Sequence, residues 1–234
     1  WYAELLFKMD DWERCGTAFD AVVEADPNGA YIADAAYAAV LCYNNLYQAQ
    51  NAQDDRTRRG PRTVGSGGAS KAAGRPSEFA PRELTKLETG MLNAYTRYVC
   101  YVGQSNPNAE DLVTIKYRRA RIYYESNHFE EAAVIFRDIA WRHRDSDMAE
   151  YAANLYLDSL NVLGEQSTPP RPACYARIVS EVPAMLDMFC QGDAAATHAD
   201  LCTDLRRLRC DTLYKAADAY KLRGEYKNAA RAYL

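Results

Sequence analysis

The chain has only three histidines, no Cys-x-x-Cys pair and no long apolar run. Each absence removes a class of protein. Without roughly 18 consecutive apolar residues, no helical membrane span is expected. Without Cys-x-x-Cys there is no thioredoxin-like or zinc-ribbon spacing. His128, His143 and His198 stand in no motif that would activate a serine or cysteine, so the chain reads as non-catalytic. The run GSGGASK lacks the phosphate-loop spacing, and no strand precedes it, so no nucleotide or other cofactor is expected. No strong excess of one charge occurs: 28 Lys and Arg face 32 Asp and Glu, a net charge of −4. A nucleic-acid binder would need a basic face. Sustained alternation of β-branched residues is also missing, so essentially no sheet is expected. No secretory leader pattern is visible.

What is present is material for helices and a core. Hydrophobic residues make up 48% of 234, and tyrosine dominates the aromatics, 18 against six Phe and three Trp. A tyrosine pairs a large apolar ring with a polar tip, which suits half-buried helix faces and interaction surfaces. Trp1–Leu6 opens inside an amphipathic pattern and Leu234 closes inside another, as expected for a segment of a longer protein.

One pattern recurs. Tyr220, Gly224, Tyr226, Ala229 and Tyr233 are spaced by 4, 2, 3 and 4 residues. Tyr123, Asn127, Phe129, Ala132 and Phe136 repeat those offsets, as do Leu6, Asp10, Trp12, Cys15 and Phe19. The physics is a helical hairpin. Gly, Asn or Asp tolerates the left-handed backbone of a tight turn. The small residue lets the first helix approach, and the ring four residues on lies on the same face.

These residues resemble the tetratricopeptide (TPR) repeat family, whose unit is about 34 residues. Ala120 and Ala217 take its small position in helix A, Tyr123 and Tyr220 its tyrosine, Ala132 and Ala229 its alanine, and Pro27 its terminal proline. Cys15 replaces the alanine, and most repeats lack the proline. The resemblance implies an all-α solenoid over residues 1–234, with hairpins at 1–27, 30–107, 113–144, 147–190 and 197–234 and helix A starts near 30, 113, 147 and 210. Local signals agree. Asn108, Glu110 and Asp111 precede a helix. Ser146 is placed to cap the next, with Asp147 and Glu150 behind it, and Gly164 to end it. Pro169, Pro170 and Pro172 reset the chain before a helix that Pro183 should bend or restart.

Residues 49–82 interrupt this pattern with Gly, Ser, Arg and Ala. Between 53 and 76, Arg56, Arg58, Arg59, Arg62, Lys71 and Arg75 face only Asp54 and Asp55. Two readings stand side by side: a solvated loop, or a basic arm that docks on an acidic partner, lipid headgroups or cell-wall polymer.

Seven cysteines occur. Cys15 falls at a packing position and reads as core. Cys190 and Cys202 flank a short loop, and three readings stay open: a disulfide, buried free thiols, or a zinc site with His198 and Cys210. His128 is expected in solvent, and His143 at a helix end where a cation suits the dipole. The Glu130-Glu131 pair reads as an exposed face.

In the TPR family, set positions of helix A line the concave side of the stack. Carried over, they are Tyr117, Arg121 and Tyr124; Tyr151 and Asp158; and Tyr214, Asp218 and Lys221, with Arg118 and Lys215 beside the groove. Tyrosines with interspersed charges suit a groove that grips a peptide or helix of a protein partner. The carboxylate clamp of chaperone-binding TPR domains is not matched. The resemblance extends loosely to bacterial envelope TPR proteins, including outer-membrane assembly lipoproteins. It implies a non-catalytic scaffold in a multi-protein assembly, periplasmic or outer-membrane-associated. The alternative is a cytoplasmic TPR module that controls an effector domain.

Overall fold

The computed structural model describes residues 1–51 and 79–233, and it is all-helical. Eleven α-helices follow one another, with no strand among the described residues: α1 (Tyr2–Lys8), α2 (Trp12–Ala25), α3 (Ile32–Asn51), α4 (Lys86–Ser105), α5 (Leu112–Glu125), α6 (Phe129–Arg142), α7 (Ala149–Glu165), α8 (Pro172–Phe189), α9 (Ala194–Thr197), α10 (Ala199–Leu222) and α11 (Tyr226–Tyr233). They fall into two compact units. Of the described residues, the first holds 1–51 and 83–122, the second 79–82 and 123–233, and the division lies within α5. Helices pack on their sequence neighbours: α1 on α2, α2 on α3 and α3 on α4 in the first unit, then α6 on α7, α7 on α8, α8 on α10 and α10 on α11 in the second.

The turns follow the spacing read from the sequence. Asp10, Asn127 and Gly224 have φ of 56°, 64° and 76°, all left-handed. Each turn closes with the same two bonds. Asp11, His128 and Glu225 N–H donate to the carbonyls of Leu6, Tyr123 and Tyr220 (3.0, 2.8 and 2.9 Å). Asp10, Asn127 and Gly224 N–H donate to Phe7, Tyr124 and Lys221 (3.2, 3.1 and 3.0 Å). This double closure is the Schellman motif, which satisfies carbonyls that the helix end would otherwise strand. The small residues Cys15, Ala132 and Ala229 lie buried behind the turns, as do Ala120 and Ala217. Rings meet edge to face across two of the turns, Phe7 on Trp12 and Tyr124 on Phe129, both at 5.3 Å. Phe7 and Tyr124 are each the residue after the first position of the recurring spacing, Leu6 and Tyr123. In the last hairpin that residue is Lys221, and Tyr226 is exposed.

In the first unit, α3 carries three successive inter-helix contacts. Cys42 forms a disulfide with Cys15 of α2. Tyr43 lies between two glycines: a Cβ on Gly16 would come within 2.8 Å of its ring, and one on Gly90 within 2.6 Å. Its hydroxyl donates to Asp20 (2.9 Å), which Arg97 meets at 2.6 Å. Asn44 accepts from the buried Tyr95 hydroxyl, and burial pushes that phenol up to about 12. Cys15 is buried in the core as its packing position implied, and α2 and α3 in addition place its sulfur against that of Cys42.

Other expectations are corrected. Ser146 does not cap α7, whose N-cap is Met148 without a side-chain bond; the Ser146 hydroxyl is buried instead. Gly164 does not end α7. It lies inside the helix, where the Tyr175 ring approaches so closely that a Cβ would sit 2.6 Å from it. The helix α8 runs through Pro183 without restarting. The helix expected from about 210 is the later part of α10, which begins at Ala199. Of the insertion, residues 49–51 belong to α3, whereas 52–78 lie outside the described residues.

Ala132 is fully buried where α6 begins. Ala132→Leu is expected to overpack this site and cost about 1–3 kcal/mol, read as a lowered midpoint in thermal or urea unfolding. An unchanged midpoint would mean that the helices do not close on this residue.

Candidate functional site

The groove residues named from the sequence divide between the units. Tyr117, Arg118 and Arg121 belong to the first, on the part of α5 where Tyr117 and Arg121 are half-buried and Arg118 is exposed. The rest belong to the second unit, where all but Tyr151, which stands apart, fall into three groups. Tyr124 and Asp158 meet, the phenol donating to the carboxylate. Lys215 donates to Asn161 Oδ1 and Glu165 Oε1, both at 2.8 Å, with its ammonium 6.0 Å from the Tyr175 ring centre. Tyr214, Asp218 and Lys221 share one face of α10 at i, i+4 and i+7. Against that face lies Tyr233, its ring 6.3 Å from Tyr214 and its hydroxyl donating to Asp218 Oδ1 at 2.5 Å. The bond to Asp218 holds the Tyr233 proton above its ordinary value.

Exposure separates these groups. Tyr151 keeps 58% of its surface and Tyr214 65%, while Tyr226 (70%) and Tyr233 (48%) add further open rings on α11. Such rings suit a contact surface because they offer large area at low entropic cost. Tyr124 and Lys215 instead spend their polar atoms on neighbouring helices.

Sequence reasoning missed a second feature, an apolar cleft of about 260 Å³ in the first unit. Phe7 of α1, Phe19 of α2 and Ala38 and Leu41 of α3 form its apolar lining, with Glu4, Lys8 and Asp34 at its polar edge. Tyr37 forms one wall. Burial, and then its bond to Asp111, push its phenol upward, and its ring lies 5.7 Å from Tyr98. The signal was the helical spacing Asp34, Tyr37, Ala38, Leu41 opposite Glu4, Phe7, Lys8. It could have been found by carrying the groove positions into the first two hairpins.

The cysteine alternatives resolve. Cys190 and Cys202 form a disulfide, and His198 Nδ1 lies 2.6 Å from Glu150 Oε2. No group of three or more His, Cys, Asp or Glu is placed to hold a metal among the described residues. Of the free cysteines, Cys100 and Cys210 are exposed and Cys174 is half-buried, with burial pushing its thiol up. His128 is half-buried rather than fully in solvent, and its Nε2 donates to the Arg82 carbonyl (3.1 Å). Among the described residues, no helix is long and apolar enough to cross a membrane. Arg56, Arg58, Arg59 and Arg62, named for an acidic partner, lie outside the described residues.

Tyr124→Phe is expected to cost about 1 kcal/mol by removing the bond to Asp158, whereas Tyr151→Ala at an exposed position should stay within about 0.5 kcal/mol. Paired urea titrations read both, and equal losses would mean that Tyr151 is as structural as Tyr124. No family model matches this chain, and no curated protein matches it.

Proposed function

We propose that this chain is a non-catalytic scaffold, a TPR-like segment of a larger bacterial cell-envelope assembly that captures a protein partner. Three features support the TPR-like reading: the repeated left-handed turn, the buried small residue behind it and the sequential packing of antiparallel helices. The exposed tyrosines at 151, 214, 226 and 233 support capture of a peptide or helix.

The two disulfides carry the choice of compartment. Each ties helices of consecutive hairpins, Cys15 to Cys42 across 27 residues and Cys190 to Cys202 across 12. Disulfides persist where the surroundings are oxidising, as in the periplasm, and are rare in a reducing cytoplasm. By loop-entropy arithmetic each is worth ~3 kcal/mol or somewhat more. Their presence favours the envelope scaffold over a cytoplasmic regulator.

Thiol counting on the protein isolated from its native source under denaturing, non-reducing conditions tests this. Three reactive thiols are expected, from Cys100, Cys174 and Cys210. All seven cysteines reacting before reduction would favour the cytoplasmic reading. Tyr151→Ala with Tyr214→Ala is expected to weaken partner capture without lowering the melting midpoint. Unchanged capture in a quantitative pull-down would remove these tyrosines from the binding surface.

A further inference from the structure

The turn between α5 and α6 differs from its two counterparts in chemistry and in what it touches. Its left-handed residue is Asn127, where the others have Asp10 and Gly224. The next residue is His128, where the others have Asp11 and Glu225. Two side chains that can donate hydrogen bonds thus replace acids or glycine at equivalent places of one turn. Both are used on the same short segment, residues 79–82. Asn127 Nδ2 donates to the Ala80 carbonyl (3.0 Å) and His128 Nε2 to the Arg82 carbonyl (3.1 Å). Arg82 N–H donates to the Ser126 carbonyl (3.0 Å). From the end of α7, Gln166 Nε2 donates to the Phe79 carbonyl (2.8 Å).

All four bonds go to main-chain groups of the segment, so they do not depend on its side chains. Pro81, which has no N–H to satisfy, occupies the one position with no bond in this set. Side-chain selectivity comes from Phe79. Its ring packs on the cluster of Phe129, Val162 and Leu163, beside Tyr124 and Cys174, and lies 6.5 Å from Phe129. In such an arrangement the main-chain bonds supply affinity and the pocket that takes the ring supplies selectivity.

We propose that the α5–α6 turn and the end of α7 form a peptide-docking site that residues 79–82 occupy in cis, and that its external ligand is a protein segment of the same form, an aromatic residue followed by a small residue and proline. The proposal rests on the scaffold reading and adds to it the class of segment captured. Because the internal segment is tethered, it competes at an effective concentration in the millimolar range. External binding to the wild-type chain is therefore weak until the segment is displaced.

The test uses the full chain and the synthetic peptide acetyl-Phe-Ala-Pro-Arg-amide. In Phe79→Ala, which vacates the anchor, the peptide is expected to bind at least tenfold more tightly than to wild type. Binding should shift the NMR signals of the Asn127 and Gln166 side-chain amides. An Ala-Ala-Pro-Arg peptide should bind at least tenfold more weakly than the Phe peptide. Adding Gln166→Ala or Asn127→Gly should reduce binding severalfold, the glycine preserving the left-handed turn. Absence of amide shifts at millimolar peptide, in a Phe79→Ala chain that still melts cooperatively, overturns the site, as does equal binding of the two peptides. Should Phe79→Ala not fold, wild type is photolabelled with a peptide carrying benzophenone in place of the phenyl ring. Crosslinks at Tyr124, Phe129, Cys174 or residues 159–166 support the site, and crosslinks confined elsewhere overturn it. A silent peptide together with capture that depends on Tyr151 and Tyr214 sinks this site alone and leaves the scaffold standing.

Discussion

Helices in this protein close on one another where one of them has almost no side chain. Tyr43 fits only because residues 16 and 90 are glycine, and Tyr175 fits only because residue 164 is. A Cβ at any of the three would overlap a ring. Ala132 and Cys15 play the same part behind their turns, where neither leaves surface in solvent. A tyrosine ring buries about 150–250 Å² when it packs fully, so a small residue opposite it converts missing volume into apolar contact. A buried phenol gains from a polar partner, and two have one: Tyr43 has Asp20, and Tyr95 has Asn44. The abundance of tyrosine follows from this double demand.

Within the first unit the constraint is concentrated on α3. Cys42, Tyr43 and Asn44 point in three successive directions around the helix, and each is met by a different group on α2 or α4. A slip of α3 along its axis would break all three at once. The second unit is tied at other points. Arg137 and Arg177 both reach the buried carboxylate of Glu181, at 3.0 and 2.5 Å, and the second disulfide joins the end of α8 to α10. A buried carboxylate between two guanidiniums fixes geometry more than it adds stability, because desolvation offsets much of the attraction.

The candidate binding residues divide by what their polar atoms already do. Tyr151 and Tyr214 have open rings, while Tyr124 and Lys215 are committed to Asp158, Asn161 and Glu165. Helix position alone does not say which polar atoms are committed. The partner group lies on another helix, tens of residues away. The docking of residues 79–82 was hidden for the same reason: their bonding partners are residues 126–128 and 166, and the surrounding composition of Gly, Ser and Arg gave no hint of an anchored end.

The amino-acid order by itself determined the helices, the three left-handed turns and the small residues behind them, since all of these are set within about a dozen consecutive residues. It did not determine which cysteine meets Cys15, that Gly164 is a packing site rather than a helix end, or that Pro183 sits in an unbroken α8. Those outcomes depend on which faces of separate helices come together. Only tertiary packing decides that, because the energy of a buried ring or a paired sulfur exists only once both helices are in place.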